Sequence, residues 1–318
     1  MSKLITAFFL CIAFLTSTCF GWRDDSYFQT TLAREVTFSG TGLYTRNDVT
    51  VTLRPSEADT GLSFKRTDLG PNTPLIPALW KHIVSTEPTT TLGLDDVNKV
   101  FGFEHLMATL YALGIDNAVI EVNAKELPIG NGTTLDFIKN VFRAGVVNLK
   151  HSRQIIKIIR SISLRTGNSQ VSFLPSRNNT LYLNMNVTTA HPALTNEQTL
   201  ALKLSSVNFL NELSYARPTA FVNASETTVE GYAALGVTSH NAWQYDQVQL
   251  LNNNEFLGLD DNLVRHQTVL CLSDLALLGA PLIGEFTAKQ PDRALMQELV
   301  CALMEDRIAW KYCDAAHL

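Results

Sequence analysis

Apolar and polar positions follow two periods along this chain, and the changes of period divide it into strands and helices. In Val49-Thr50-Val51-Thr52-Leu53 every second residue is apolar, as expected of a strand with one face on a core. The run Glu35-Val36-Thr37-Phe38 leads into the glycine-punctuated Ser39-Gly40-Thr41-Gly42-Leu43, and residues 61–66 read as the next strand. Over 103–113 the apolar residues Phe103, Leu106, Met107, Leu110 and Leu113 fall at helical spacing, with Gly114 placed as the stop. Residues 118–122 (Ala-Val-Ile-Glu-Val) read as a buried strand, and 135–146 as a second amphipathic helix ending near Gly145.

A basic, polar stretch at about 150–153 reads as a link, after which the order of elements recurs. Strands are expected at 154–164, 170–174 and 181–189. Helices are expected near 198–210 and 226–235, then a long one over about 262–278 and a last one over 291–310. Strands followed by helices, stated twice, predict an α+β protein of two similar domains, 23–152 and 153–318, each with sheets packed on helices and a cleft between them. No low-complexity tract or long flexible linker interrupts the pattern.

The first 22 residues stand apart. Lys3 supplies a positive start, an apolar stretch runs from Leu4 to about Leu15, and Cys19 and Gly21 occupy the −3 and −1 positions of a cleavage site. This reads as a secretory signal peptide and predicts export to the periplasm. A lipoprotein leader at Cys19 and a retained anchor are the alternatives, the apolar run being short for a span of ~20 residues. Cleavage would leave Cys271, Cys301 and Cys313, an odd number that argues against a disulfide framework. A pairing of Cys301 with Cys313 stays open beside buried thiols. With 318 residues, 46% of them hydrophobic, the chain can build full-sized cores. Its formal net charge of −5 argues against a nucleic-acid surface or a basic membrane-binding face.

Three polar features interrupt otherwise apolar helices: Glu104-His105 at a helix start, His266 with Asp274 two turns later, and the segment 287–293 before the last helix. Each has a bland explanation. A lone histidine on an amphipathic helix is usually a satisfied core or rim residue, and an acid at a helix start is favoured by the dipole. Spacing alone does not define a metal site.

The ordered blocks do more. Arg66-Thr67-Asp68-Leu69, Phe103-Glu104-His105-Leu106, Gly114 through Asn123, Glu126-Leu127-Pro128-Ile129, His191-Pro192-Ala193, Ala216-Arg217 with Phe221, Leu263-Val264-Arg265-His266 and Ile283 through Ala288 resemble the zinc-dependent UDP-3-O-acyl-N-acetylglucosamine deacetylases of lipid A synthesis. The resemblance runs from about Thr31 to Cys313. It implies hydrolysis of the acetamide of an acylated UDP-sugar, with a zinc ion held by two His and one Asp, a Glu as general base, and a His steered by an Asp as acid or oxyanion partner. Three protein ligands leave one coordination position for the water that zinc makes nucleophilic.

Carried over residue by residue, the base is Glu104, two zinc ligands are His105 and His266, and the steering acid is Asp274. The third ligand should lie one turn after His266, where the chain has Leu270, and the catalytic His falls on Arg293. A Lys usual after the second zinc-binding His is Gln267. The Thr usual after Ala-Arg falls on Pro218, with Thr219 one residue on, and Gly42-Leu43-Tyr44-Thr45-Arg46 replaces a His and a Gly. Gln267 and Phe221 match substrate-binding positions. Asp274, eight residues beyond His266 or ~12 Å along a helix, is too far to share its metal. Two imidazoles alone predict weak or absent zinc binding, and a guanidinium that stays charged does not shuttle protons. Arg293 is expected to pair with Asp274.

Three functions remain open on these grounds. One is a non-catalytic envelope protein that binds an acylated sugar, a lipid A-related ligand or a partner protein. Another is a working zinc deacetylase with a rearranged site, using Glu104, His105 and His266 with Thr219 or Arg293 as oxyanion donor. The last is a structural protein with an unused cleft.

Overall fold

The computed structural model describes residues 27–87, 89–221, 236–252 and 260–318. The leader expected at 1–22 and the helix expected at 226–235 lie outside the described residues. The architecture is α+β. Among the described residues no sheet draws strands from both sides of Arg153.

In the first half a five-stranded sheet has the order Val36–Thr41, Asp48–Pro55, Ala118–Val122, Leu62–Arg66, Ile76–Pro77. The period-two strand behaves as its pattern requires: Val49, Val51 and Leu53 are buried while Thr50 and Thr52 face outward. Ala118–Val122 runs antiparallel to Asp48–Pro55 and parallel to Leu62–Arg66. A parallel neighbour needs a crossover, and helix α1, Glu104–Ala112, lies within it. Only Tyr111 of α1 is not fully buried, so this helix runs through the protein rather than over it. It stops where Gly114 takes φ +70° and its N–H bonds back to Tyr111 O at 3.1 Å. Helix α2, Leu135–Ala144, sets Phe137 edge-on against Phe38 of the sheet at 5.6 Å. A small antiparallel sheet of Ile83–Ser85, Thr91–Gly93 and Lys99–Phe101 precedes α1. The stretch read as a basic link is instead the end of a strand: Val146–Ser152 pairs antiparallel with Phe28–Leu32, which satisfies its backbone at the surface while its lysine and histidine point to solvent.

The second half is built on one seven-stranded sheet. Leu282–Lys289 sits at its centre, antiparallel to Ser169–Leu174 and parallel to Leu181–Thr188. Its first two residues also pair with Gln154–Ile158, which lies antiparallel to Trp310–Asp314. Two expectations fail here. The strand expected over 154–164 is two strands, Gln154–Ile158 and Ile162–Thr166, the second turning away to pair with Ser169–Leu174. The helix expected near 198–210 is the edge strand Glu197–Lys203 followed by a short helical stretch over 206–213. Gln198, Leu200 and Leu202 are buried and the residues between them exposed, a period of two that outweighs the local helix propensity of Leu and Ala.

Helix α3, Asn262–Ala276, and helix α4, Arg293–Glu305, complete this half. Helix α4 is shorter than expected at both ends: the Asp292 side chain caps it by accepting from Leu295 N, and residues 310–314 return to the sheet. Helix α3 packs directly on α1. The crossing of these two helices is where the polar residues singled out from the sequence meet. Cys271, Cys301 and Cys313 are free thiols.

Candidate functional site

His105 comes from the first turn of α1 and His266 from the second turn of α3. Their Nε2 atoms face each other at 3.2 Å, with ring centroids 5.3 Å apart. Burial pushes the His105 pKa down to about 4. His266 keeps a partly accessible edge but lies deep, and burial first, then His105 and Arg293, hold it well below the ordinary imidazole value. Both rings are therefore neutral near pH 7. Two neutral nitrogens at this distance share one proton in an N–H···N bond or aim two lone pairs at one cation.

The pair fits part of a zinc site. A tetrahedral ion with Zn–N of about 2.0–2.1 Å holds two nitrogens about 3.3 Å apart. Among the described residues the next corner has no donor. Leu270, one turn after His266 on the same face of α3, is partly accessible between the buried Val269 and Cys271, and its hydrocarbon side chain offers no donor. Among the described residues no group of three His, Cys, Asp or Glu side chains is placed to hold a metal. The donors that the described residues bring to the pair supply two corners, short of the three-ligand set of a catalytic zinc.

The acidic and basic residues form a second layer behind the histidines. Glu104 is buried at the first position of α1, where its carboxylate accepts from Thr89 Oγ1. Arg293 Nη2 lies 4.0 Å from Glu104 Oε1, and its Nη1 donates to Thr86 O at 3.5 Å. Asp274 accepts instead from Gln297 Nε2, which also reaches Thr90 Oγ1 at 3.5 Å. The expected ion pair between Arg293 and Asp274 is thus not the one formed. Arg293 opens α4 and points to Glu104 and the backbone of Thr86, while Gln297, one turn further into the helix, meets Asp274. Burial and then the nearby Glu104 carboxylate raise the Asp274 pKa well above the carboxylate range, with Arg293 opposing them. Ser273 Oγ and Gln297 Oε1 are buried with no hydrogen-bond partner among the described residues.

The remaining candidates are each held by local contacts. Asn262, 3% exposed at the start of α3, accepts from Arg217 N at 3.0 Å and donates to Arg217 O at 3.0 Å and Thr219 Oγ1 at 3.3 Å, which fixes Thr219 at that helix end. Gln267 donates to Pro291 O at 3.2 Å and so ties α3 to the turn before α4, without a lysine's charge. Phe221 is 38% exposed, with His191 and Tyr245 rings 5.4 and 5.9 Å from it. Tyr44 borders the same field: after burial, Glu104 is the next cause of its raised pKa, and Arg293 also acts on it. Glu126 holds its loop by accepting from Tyr44 N and Thr45 N at 2.8 and 2.7 Å. Thr89 and Gln297 escape a reading of the sequence. Gln297 left a trace, as a polar residue one turn from Arg293 on an apolar helix; Thr89, in a run of three threonines, left none.

Compared with known proteins, residues 29–305 match the family model described as UDP-3-O-acyl N-acetylglycosamine deacetylase. Curated relatives carry the name UDP-3-O-acyl-N-acetylglucosamine deacetylase. The one from Actinobacillus succinogenes is 35% identical over 285 residues, covering 89% of this chain and 92% of its own length. Those from Geotalea uraniireducens and Myxococcus xanthus are 33% and 34% identical, covering 90% and 92% of this chain and 92% and 91% of their own lengths. The resemblance read from the ordered sequence blocks is met by a match of this length at this identity, and the chain belongs to the UDP-3-O-acyl-N-acetylglucosamine deacetylase family.

Proposed function

We propose that this protein binds an acylated amino sugar or another lipid A-related ligand in the deacetylase cleft without hydrolysing it, and that it does so outside the cytoplasm. One observation carries the reading. The position that should hold the third metal ligand is Leu270, and the carboxylate that should serve as base, Glu104, is taken up by Thr89 and Arg293. A base bonded to a hydroxyl and held beside a permanent cation is poorly disposed to accept a proton from water. Arg293 in place of an imidazole supplies no titrating partner near neutral pH. Location supports the same reading: a UDP-sugar substrate is made and used in the cytoplasm, whereas the first 22 residues have the make-up of an export signal. An envelope protein is the alternative occupant of the cleft. The test is metal analysis of the purified chain together with an amide-hydrolysis assay on acylated amino sugars. Stoichiometric zinc with turnover would end this reading.

A working deacetylase is the second reading, and two observations favour it. His105 and His266 retain a separation that suits a shared metal, and the relatives are named as deacetylases of UDP-3-O-acyl-N-acetylglucosamine. Under it, zinc at the two histidines would supply the hydroxide and Lewis acidity, with Thr219 or Arg293 facing the oxyanion. If Glu104→Ala and His266→Ala proteins kept all measured turnover, that reading would fail.

A further inference from the structure

Away from the histidine pair, at the C-terminal ends of α1 and α3, lies a cavity of about 80 Å³ bordered by Gly61, Tyr111, Asp116, Arg153, Ala276 and Pro281. A single water needs only ~10–15 Å³ by the same measure, so a small ligand fits. Arg153 sits where the two halves of the chain join, with its side chain 11% exposed. Its Nε donates to Asp116 Oδ1 at 2.8 Å, and Asp116 Oδ2 is occupied by Thr30 N at 2.9 Å. Among the described residues Nη1 and Nη2 of Arg153 have no acceptor. Nη2 lies in the space that a side chain at residue 114 would enter, 3.4 Å from a Cβ built on Gly114. The Tyr111 oxygen accepts from Leu282 N at 3.1 Å, and its own hydrogen has no acceptor among the described residues. Two residues bordering the cavity, Arg153 and Tyr111, thus keep donors without an acceptor among the described residues, while the Asp116 carboxylate is already engaged.

We propose that the outer edge of the Arg153 guanidinium and the Tyr111 hydroxyl form a binding site for a two-oxygen anionic group, the carboxylate or phosphate of a small ligand. The guanidinium fork matches two such oxygens at once. Charge alone does not make the site. Arg153 and Asp116 cancel, and the ends of α1 and α3 contribute partial negative charge. Recognition rests on the shape of the ligand's oxygens, so a halide should not replace it. The site is independent of the reading given to the histidines.

The full chain is titrated with acetate, with inorganic phosphate and with chloride at matched ionic strength, and Tm and calorimetric binding are read. Acetate or phosphate should raise Tm saturably and chloride should not; whichever oxyanion responds identifies the group as carboxylate or phosphate. Arg153→Lys keeps a charge for Asp116 but removes the fork, and should weaken binding about tenfold or more. Tyr111→Phe should weaken it several-fold and serves as the test if Arg153→Lys does not fold. The site is refuted by no saturable response to either oxyanion, by an equal response to chloride, or by unchanged affinity in the folded variants.

Discussion

Replacing Leu270 by Asp asks whether one side chain separates this cleft from a metal site. His105 and His266 already hold two nitrogens 3.2 Å apart, and residue 270 is one turn, ~6 Å along α3, beyond His266 on the same face. Zinc sites with four protein ligands hold the ion with roughly 10–16 kcal/mol, or about 3 kcal/mol per ligand. Part of that is offset here, because the new carboxylate joins Glu104 and Asp274, and the Asp274 pKa is already raised, by burial first and by Glu104 next. A net gain of roughly 2–3 kcal/mol remains, about 30- to 140-fold in zinc affinity. Metal content by plasma mass spectrometry, followed by competition against a chelator of known strength, measures it. Wild type should emerge from chelator dialysis without metal and with unchanged Tm; Leu270→Asp should hold zinc and lose Tm when stripped. Tight stoichiometric zinc in wild type would refute the reasoning, since two imidazoles would then suffice. A folded Leu270→Asp protein with no gain would refute it from the other side, by showing that the two rings share a proton rather than a cation.

Other outcomes follow from single contacts. Glu104→Gln should lower unfolding stability by about 1–3 kcal/mol in urea titrations, because it weakens a buried charge-assisted bond to Thr89 and uncouples Arg293; in a working active site the same change is often neutral or stabilising. Asn262→Ala removes three hydrogen bonds at a 3% exposed position and should cost about 2–3 kcal/mol by the same assay. Gly132→Ala should destabilise by at least ~2 kcal/mol, since a Cβ there would lie 1.9 Å from Asn241 O on a backbone with φ +79°. Arg54→Ala, which removes solvent-accessible pairs with Glu35 and Glu121, should change stability by less than ~1 kcal/mol and serves as the control.

How much of this was legible in the sequence depended on whether the cause was local. The strand Asp48–Pro55 and helix α1 were readable because their burial follows a simple period. The edge strand Glu197–Lys203 was not, because alternation in Gln-Thr-Leu-Ala-Leu competes with residues of good helix propensity, and only pairing with Leu181–Thr188 decides it. At the site, the identities of Glu104, His105, His266, Leu270 and Arg293 came from ordered blocks, and their convergence on one helix crossing is a finding of the structure. The partner of Arg293 was misread. Removing a histidine suggested that its old neighbour Asp274 would inherit the arginine, but a longer side chain at the mouth of α4 reaches past it to Glu104, and Gln297 fills the place left.

The strand Leu282–Lys289 has a consequence for variants at positions 270 and 293. It follows α3, leads into α4, and is gripped along both edges by other strands. Positions 270 and 293 are therefore mounted at the two ends of one rigid bracket. A Leu270→Asp, Arg293→His double variant would therefore place its new groups on a backbone held along both edges by its neighbours.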